Sequence, residues 1–332
     1  MILAAGFGTR LRPLTCLRPK PLLTVLNKPV LARWLDVLAG LGVSRTVVNA
    51  HYLAPMLADF IDSARGGYPR MEIIVSLEDE ILGTGGGLKQ AARLLFPDDD
   101  DGGGDTGGGA GRDDDGGRGR KSKPFYVVNG DVHTDLDLKD LASAHLSASP
   151  VATLALVDRP DKATVSVDAD GVILGFRAGE KLPGETGRLC GAGVMILESR
   201  FLELLPAGFS DSVERLGRLP DLGRAVRGRF YPGVDWTDIG SPGDYYALQK
   251  TLARGRIVAE NPGLLEGDVS GFVVAEAGAR VAVGASVRDC VLLREADVKA
   301  GAVVGGAVVA GTVGGDVRLE GGVVADRPDA GA

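Results

Sequence analysis

Met1-Ile2-Leu3-Ala4-Ala5, then Gly6-Phe7-Gly8-Thr9-Arg10-Leu11-Arg12-Pro13-Leu14-Thr15, then Arg18-Pro19-Lys20-Pro21, open the 332-residue chain. The first five residues read as a short buried strand. Glycines placed directly after a strand let backbone N–H groups come close to a phosphate, where a Cβ atom would obstruct the approach. Arg10, Arg12 and Lys20 add charge-assisted donors for a polyanion. Pro13, Pro19 and Pro21 stiffen the backbone that carries Arg12 and Lys20. Two common phosphate loops are excluded: a dinucleotide fingerprint needs a third Gly where this chain has Leu11, and a P-loop closes on Gly-Lys-Ser/Thr. A bare Gly-x-Gly is more often a structural turn. The cations and prolines that follow distinguish this one.

Beyond the loop, short apolar runs alternate with amphipathic segments, the pattern of α/β units around a mostly parallel sheet. Helices are expected at Val30 to Leu41, Ala54 to Ala64, Gly87 to Leu95, after Asp137, and at Asp244 to Ala253. Strands are expected at Met1 to Ala5, Thr46 to Asn49, Met71 to Ser76, Phe125 to Asn129, Ala152 to Val157, across Thr164 to Phe176, and at Gly191 to Leu197. Asp and Gly runs over 98–123 have nothing to bury and read as a disordered insertion rather than a metal-binding cluster. After an expected linker over 254–262, Val281, Val287, Leu293, Val298, Val304 and Val309 recur every five to six residues. That period predicts a β-solenoid over 263–324, favoured over an irregular meander, followed by a flexible tail from 325.

A net charge of -7 excludes a nucleic-acid binder, which would need a basic face. Cys16, Cys190 and Cys290 are odd in number and far apart, so neither a disulfide framework nor a zinc site is expected. The start lacks the pattern of a signal peptide and no run approaches a membrane span, so a cytoplasmic protein without membrane contact is expected.

The strings Gly6 to Thr15 and Arg18 to Pro21 resemble the signature of the nucleoside-diphosphate-sugar pyrophosphorylases, or sugar-1-phosphate nucleotidyltransferases. The resemblance implies a Rossmann-like α/β/α domain over 1–253. It also implies a magnesium-dependent reaction in which a sugar 1-phosphate attacks the α-phosphorus of a nucleoside triphosphate. Arg10 and Lys20 would then be catalytic. Leu3, Ala4, Ala5, Gly6, Gly8, Thr9 and Arg10 would contact the nucleotide, joined by Gly83, Thr84, Gly85 and Gly86 of Leu82-Gly83-Thr84-Gly85-Gly86-Gly87, which is similar to the family's base-binding segment.

Val127-Val128-Asn129-Gly130-Asp131 is a strand ending in a carboxylate at the carboxyl edge of a parallel sheet. Magnesium binds through one or two carboxylates plus phosphates. Asp131 is therefore one expected ligand, and Asp238 of Trp236-Thr237-Asp238-Ile239-Gly240-Ser241-Pro242, which resembles the family's W-x-D-x-G-S/T-P motif, is the other; as an isolated Asp it would more often cap a helix. Gly130, Glu180, Lys181 and Gly193 are the expected sugar-phosphate contacts. Leu182 stands where the family's Glu-Lys-Pro element has proline, so Lys181 also fits a solvent-facing lysine.

The C-terminal repeats resemble the family's left-handed β-helix, a hexapeptide-type domain, and a homo-oligomer through them is an expectation. No histidine follows His145, so the acetyl transfer of bifunctional relatives is rejected. His133 has no role, because an ionised phosphate nucleophile needs no general base, and Trp34 reads as core. The motifs look most like mannose or heptose 1-phosphate guanylyltransferases, which favours GTP, with muramate-type uridylyltransferases close behind. Uridylyl or thymidylyl transfer, a non-catalytic nucleotide-sugar-binding regulatory subunit, and a glycosyltransferase are the alternatives.

Overall fold

The computed structural model describes residues 1–97, 122–176, 179–219 and 225–326. The chain begins with β1 (Ile2–Leu3), the short helix α1 (Leu14–Leu17), the hairpin β2 (Thr24–Val25) and β3 (Lys28–Pro29), and α2 (Val30–Gly40). It continues through β4 (Arg45–Ala50), α3 (Ala54–Ala64), β5 (Glu72–Leu77), α4 (Gly83–Leu95), β6 (Pro124–Asn129), β7 (Val132–Thr134), α5 (Leu138–Ala148) and β8 (Ala152–Val157). Then come β9 (Val165–Val167), β10 (Ile173–Gly175), β11 (Gly187–Glu198), α6 (Ser212–Gly217), β12 (Val226–Tyr231), β13 (Trp236–Asp238) and α7 (Pro242–Ala253).

β1 lies between β4 and β6, parallel to both, with β5 parallel beyond β4. The long β11 joins antiparallel to β6 and extends the sheet to β8 and β9. Strand alternation divides the core. Val48, Val128 and Ile196 face one way, against apolar stripes such as Leu31, Leu35 and Leu38 of α2 and Leu57 and Ile61 of α3. Val47, Val127 and Met195 face the other way, against Leu88 and Ala91 of α4 and Leu216 of α6. Trp34 is buried among the first set.

The C-terminal part is a parallel β-helix-like domain. Its strands are β14 (Ile257–Ala259), β15 (Asp268–Ala275), β16 (Arg280–Val281), β17 (Ser286–Leu292), β18 (Asp297–Val298), β19 (Val303–Gly305), β20 (Val308–Ala310), β21 (Thr312–Val313), β22 (Arg318–Glu320) and β23 (Val323–Ala325). Ser286 sits beside Val303 and Val303 beside Arg318, so successive coils are 17 and 15 residues apart (286 to 303, 303 to 318). The period of five to six read from the sequence is one side of a coil. Val281, Val287, Val298, Val304 and Val309 fill the solenoid interior, whereas Leu293 points out with Phe272, Val274, Val291 and Val308 into the core shared with α7. That face is therefore covered by this chain's own N-terminal part.

Two boundaries differ from expectation. The expected linker 254–262 contains β14, which pairs in parallel with β15 and so starts the first coil. At the other end, Ala325 belongs to β23 and the Asp326 carboxylate accepts the Thr312 amide, so the solenoid reaches into the expected tail. The expected insertion lies outside the described residues except for Ser122 and Lys123, whose backbone and hydroxyl groups are bonded to Ser199.

Candidate active site

Parallel strands β1, β4, β5 and β6 end on one edge, and their following loops enclose a cavity of about 380 Å³. The chain crosses from one side of β1 to the other here, which leaves a crevice at the carboxyl ends. Leu3, Ala4, Ala5, Gly6, Gly8, Thr9, Arg10 and Lys20 all line it.

Gly8 adopts the left-handed conformation (φ 61°), and a Cβ there would lie 2.8 Å from the Thr15 methyl group. Buried Thr15 donates its hydroxyl to the Gly8 carbonyl (2.9 Å), and Tyr52 Oη donates to the Thr15 carbonyl (2.9 Å). The amides of Leu11 and Arg12 turn back to the carbonyls of Gly8 and Thr9. Among the described residues, the backbone N–H groups of Gly6 to Arg10 have no acceptor, and the exposed Arg10 guanidinium has no hydrogen-bond or ion-pair partner. The loop is fixed from behind and open in front, an arrangement of successive amide donors suited to an anion.

Opposite it, buried Asn49 accepts the Ala4 amide (2.7 Å) and donates to Glu78 Oε1 (2.7 Å), while Glu78 Oε2 accepts the Leu82 amide (3.0 Å). This pair, not singled out in the sequence, ties the first loop to the start of α4. α4 begins at Gly83, four residues earlier than expected, so Gly83 and Thr84 present the amide end of a helix to the cavity. Gly85 and Gly86 do not line it: both amides turn toward the Ser210 carbonyl, at 2.8 and 3.4 Å. Their Cα atoms face Ser210 and Gly208 closely enough to leave no room for a Cβ. These two glycines pack the helix against the segment that carries Gly208 and Ser210.

β6 delivers Asp131 to the third wall, where Lys20 Nζ is ion-paired with it. Asp238 arrives through pairing of β13 with β7, which sets Asp238 beside Val132 and joins the Ile239 amide to the Asp131 carbonyl (3.0 Å). Asp238 is ion-paired with Lys162, in the turn after β8, a residue that the sequence reading missed. Lys162 and Arg159 both lie over the Trp236 ring, each 5.5 Å from its centroid. A Cβ built on Gly240, which lines the cavity, would be 3.2 Å from Asp244 Oδ2, 3.7 Å from Asp238 Oδ2 and 3.8 Å from Arg10 Nη2. The cap of α7 is Ser241, whose hydroxyl accepts the Asp244 amide (3.1 Å). Asp238 therefore does not cap the helix, and of the two expected metal ligands Asp131 lines the cavity while Asp238 lies next to it on β13.

The expected sugar-phosphate residues divide. Glu180 and Lys181 are exposed on the connection from β10 to β11 and do not line the cavity; the Glu180 carbonyl instead accepts Arg188 Nη2 (2.8 Å). The Gly130 amide is used by the Leu3 carbonyl (2.8 Å), where the ends of β1 and β6 touch. Gly193, at an irregularity in β11, lies where a Cβ would be 2.7 Å from the side-chain Nδ2 of Asn129, so it supports a cavity-lining residue. Burial, reinforced by the Asp238 carboxylate, pushes the nearby Cys190 thiol up, which disfavours the thiolate a nucleophile needs. Burial and Arg33 hold the His133 pKa below its ordinary value.

The nucleotidyl transferase family matches residues 1–255. The chain is 31% identical over 251 residues to a mannose-1-phosphate guanyltransferase of Yarrowia lipolytica, a match covering 74% of this chain and 61% of that protein. It is 29% identical over 335 residues to the mannose-1-phosphate guanylyltransferase of Mycobacterium tuberculosis, with 98% of this chain and 82% of that one covered. Among solved structures, HddC from Yersinia pseudotuberculosis, complexed with GMP-PN, matches at TM-score 0.55 and 26% identity over 76% of this chain and 97% of its own. The inositol-1-phosphate CTP transferase of T. maritima shares the fold at TM-score 0.54. The match across strands, loop and both aspartate motifs makes this chain a member of the nucleotidyl transferase family.

Proposed function

We propose that this protein transfers the nucleotidyl group of a nucleoside triphosphate to a sugar 1-phosphate and releases pyrophosphate, with GTP and mannose 1-phosphate as the favoured pair. The observation that carries the reading is a cavity in which, among the described residues, the amides of Gly6 to Arg10 and the Arg10 guanidinium have no partner, with Asp131 in its lining and Asp238 next to it on β13, paired with β7. The Gly6 to Arg10 loop suits the triphosphate. Arg10 and Lys20 would neutralise charge developing on the α-phosphate and the leaving pyrophosphate. Lys162, beside Asp238, would grip the phosphate of the sugar as a point charge. The attacking phosphate oxygen is already ionised, so positioning and charge neutralisation replace general-base catalysis.

The donor set fits magnesium. Among the described residues no three of His, Cys, Asp and Glu form a metal cluster, and magnesium commonly uses one or two carboxylates and takes its other oxygens from phosphates and water. Asp131 and Asp238 would hold it, and it would supply charge neutralisation at the phosphates. Guanine and mannose are favoured by the names of the relatives: the Yarrowia and Mycobacterium proteins are both named as mannose-1-phosphate guanylyl enzymes. The test is pyrophosphate release from each NTP with a panel of sugar 1-phosphates and Mg²⁺, with products identified by mass. GTP with mannose 1-phosphate is expected to give the highest kcat/KM; preference for another pair revises the substrates, and no release from any pair overturns the reaction.

A further inference from the structure

The signature Arg18-Pro19-Lys20-Pro21 is held from outside the stretch that the family matches. Glu276, just after β15 of the solenoid, is 1% exposed. Its carboxylate accepts Arg18 Nη1 at 3.1 and 2.9 Å, Thr24 Oγ1 at 2.6 Å, and the Arg294 amide at 2.9 Å. A buried carboxylate is costly unless paired and hydrogen-bonded. Here two of its three partners flank Lys20, one on each side in the sequence.

The connection between them is stiff. Pro19 and Pro21 fix φ on both sides of Lys20, and the Leu22 and Leu23 amides close a turn onto the carbonyls of Pro19 and Lys20 (2.9 and 3.1 Å). Gln249 of α7, wholly buried, secures the same segment by donating to the Thr24 carbonyl (2.7 Å) and accepting the Leu26 amide (3.0 Å). A displacement of Arg18 or Thr24 would therefore reach Lys20 with little loss.

We propose that Glu276 is a positioning residue for the reaction: by holding Arg18 and Thr24 it places the Lys20 ammonium against Asp131 and the phosphates, so the solenoid completes the active site. This rests on the nucleotidyl-transfer reading. Glu276→Gln keeps size and burial but removes the charge that Arg18 meets. In the full chain it is expected to lower kcat about ten-fold, since small misplacements of reacting groups carry large rate penalties, and to change KM for the NTP less than about two-fold. Tyr246→Phe removes a different solenoid bond, from Tyr246 Oη to the Asp289 carbonyl (2.9 Å), and is expected to lower Tm without lowering kcat.

The deciding comparison is a double-mutant cycle. In a Lys20→Ala background the Glu276→Gln effect on kcat should vanish, because contacts that act through one group are not additive. Additive losses, or unchanged kcat in Glu276→Gln, overturn the proposal. If Glu276→Gln fails to fold, Thr24→Val removes one donor to the same carboxylate and enters the same cycle. If wild-type protein turns over no substrate pair, the reaction is overturned. Amide exchange then decides the clamp: faster exchange over residues 18–23 in Glu276→Gln but not in Tyr246→Phe supports it, and equal exchange in both removes it.

Discussion

Arg10 and Lys162 make different demands at the residue scale. Arg10 has no partner among the described residues, so removing it breaks nothing in the fold. Arg10→Ala is expected to lower kcat/KM about 10²- to 10³-fold while a thermal melt stays at the wild-type temperature; a parallel fall in Tm would give Arg10 a structural role. Lys162→Ala should raise KM for the sugar phosphate about ten-fold and leave NTP affinity by calorimetry unchanged. Lys162 was hard to see in the sequence, because a lysine in a Pro-Asp-Lys turn reads as surface. Only the pairing of β13 with β7, distant in the chain, brings Asp238 to it. Asn49 and Glu78 were hidden similarly, since their role depends on each other across β4 and β5. His133 carries a pH prediction. Its folded pKa lies below the ordinary value of about 6.5, chiefly through burial, then through Arg33, with Asp235 and Asp135 opposing. The unfolded chain therefore takes up the proton first as pH falls. Stability from this residue is present above about pH 6.5 and declines below it as pH falls through the lowered value. Melts between pH 7.5 and 5 should show a shallower acid slope in His133→Gln than in wild type.

At the scale of elements, α4 is the sensitive one. Gly83 has φ 69°, and a Cβ there would stand 2.6 Å from the Ser210 carbonyl oxygen. Gly83→Ala should cost about 1–3 kcal/mol through backbone strain alone, read as a lower denaturation midpoint, and weaken nucleotide binding because the helix terminus moves; unchanged affinity would show that this terminus does not meet the nucleotide. The sequence predicted helices at Val30 to Leu41 and Ala54 to Ala64 well because apolar residues three and four apart settle which face is buried. It placed the start of α4 late because four glycines within Gly83 to Gly87 argue against helix on propensity, whereas close packing against Gly208 and Ser210 requires the first three and the Glu78 and Asn49 side chains crowd Gly87. β14 went unseen because three residues carry too little pattern to separate a strand from a connection.

For the molecule as a whole, the core crosses from the α/β part into the solenoid. Phe272, Val274, Val291, Leu293 and Val308 are buried in one cluster with Tyr245 and Leu248 of α7. Five such side chains represent roughly 7–15 kcal/mol of apolar transfer, comparable to the roughly 5–15 kcal/mol margin of a whole domain. A fragment ending at residue 255 is expected to aggregate or melt well below the full chain; a monomeric fragment with wild-type Tm would show that the shared face is dispensable. The solenoid repeat was legible, but not which coil face would be covered, because inward and outward valines look alike in sequence.

The donors of Gly6 to Arg10, which have no acceptor among the described residues, belong to peptide bonds. Any side-chain replacement that preserves the path of the loop leaves them in place, so an alanine scan will undercount the hold on the phosphates and credit it to Arg10 and Lys20. Replacing single amides in this loop by esters, which deletes an N–H and leaves every side chain intact, is the chemistry that would measure it.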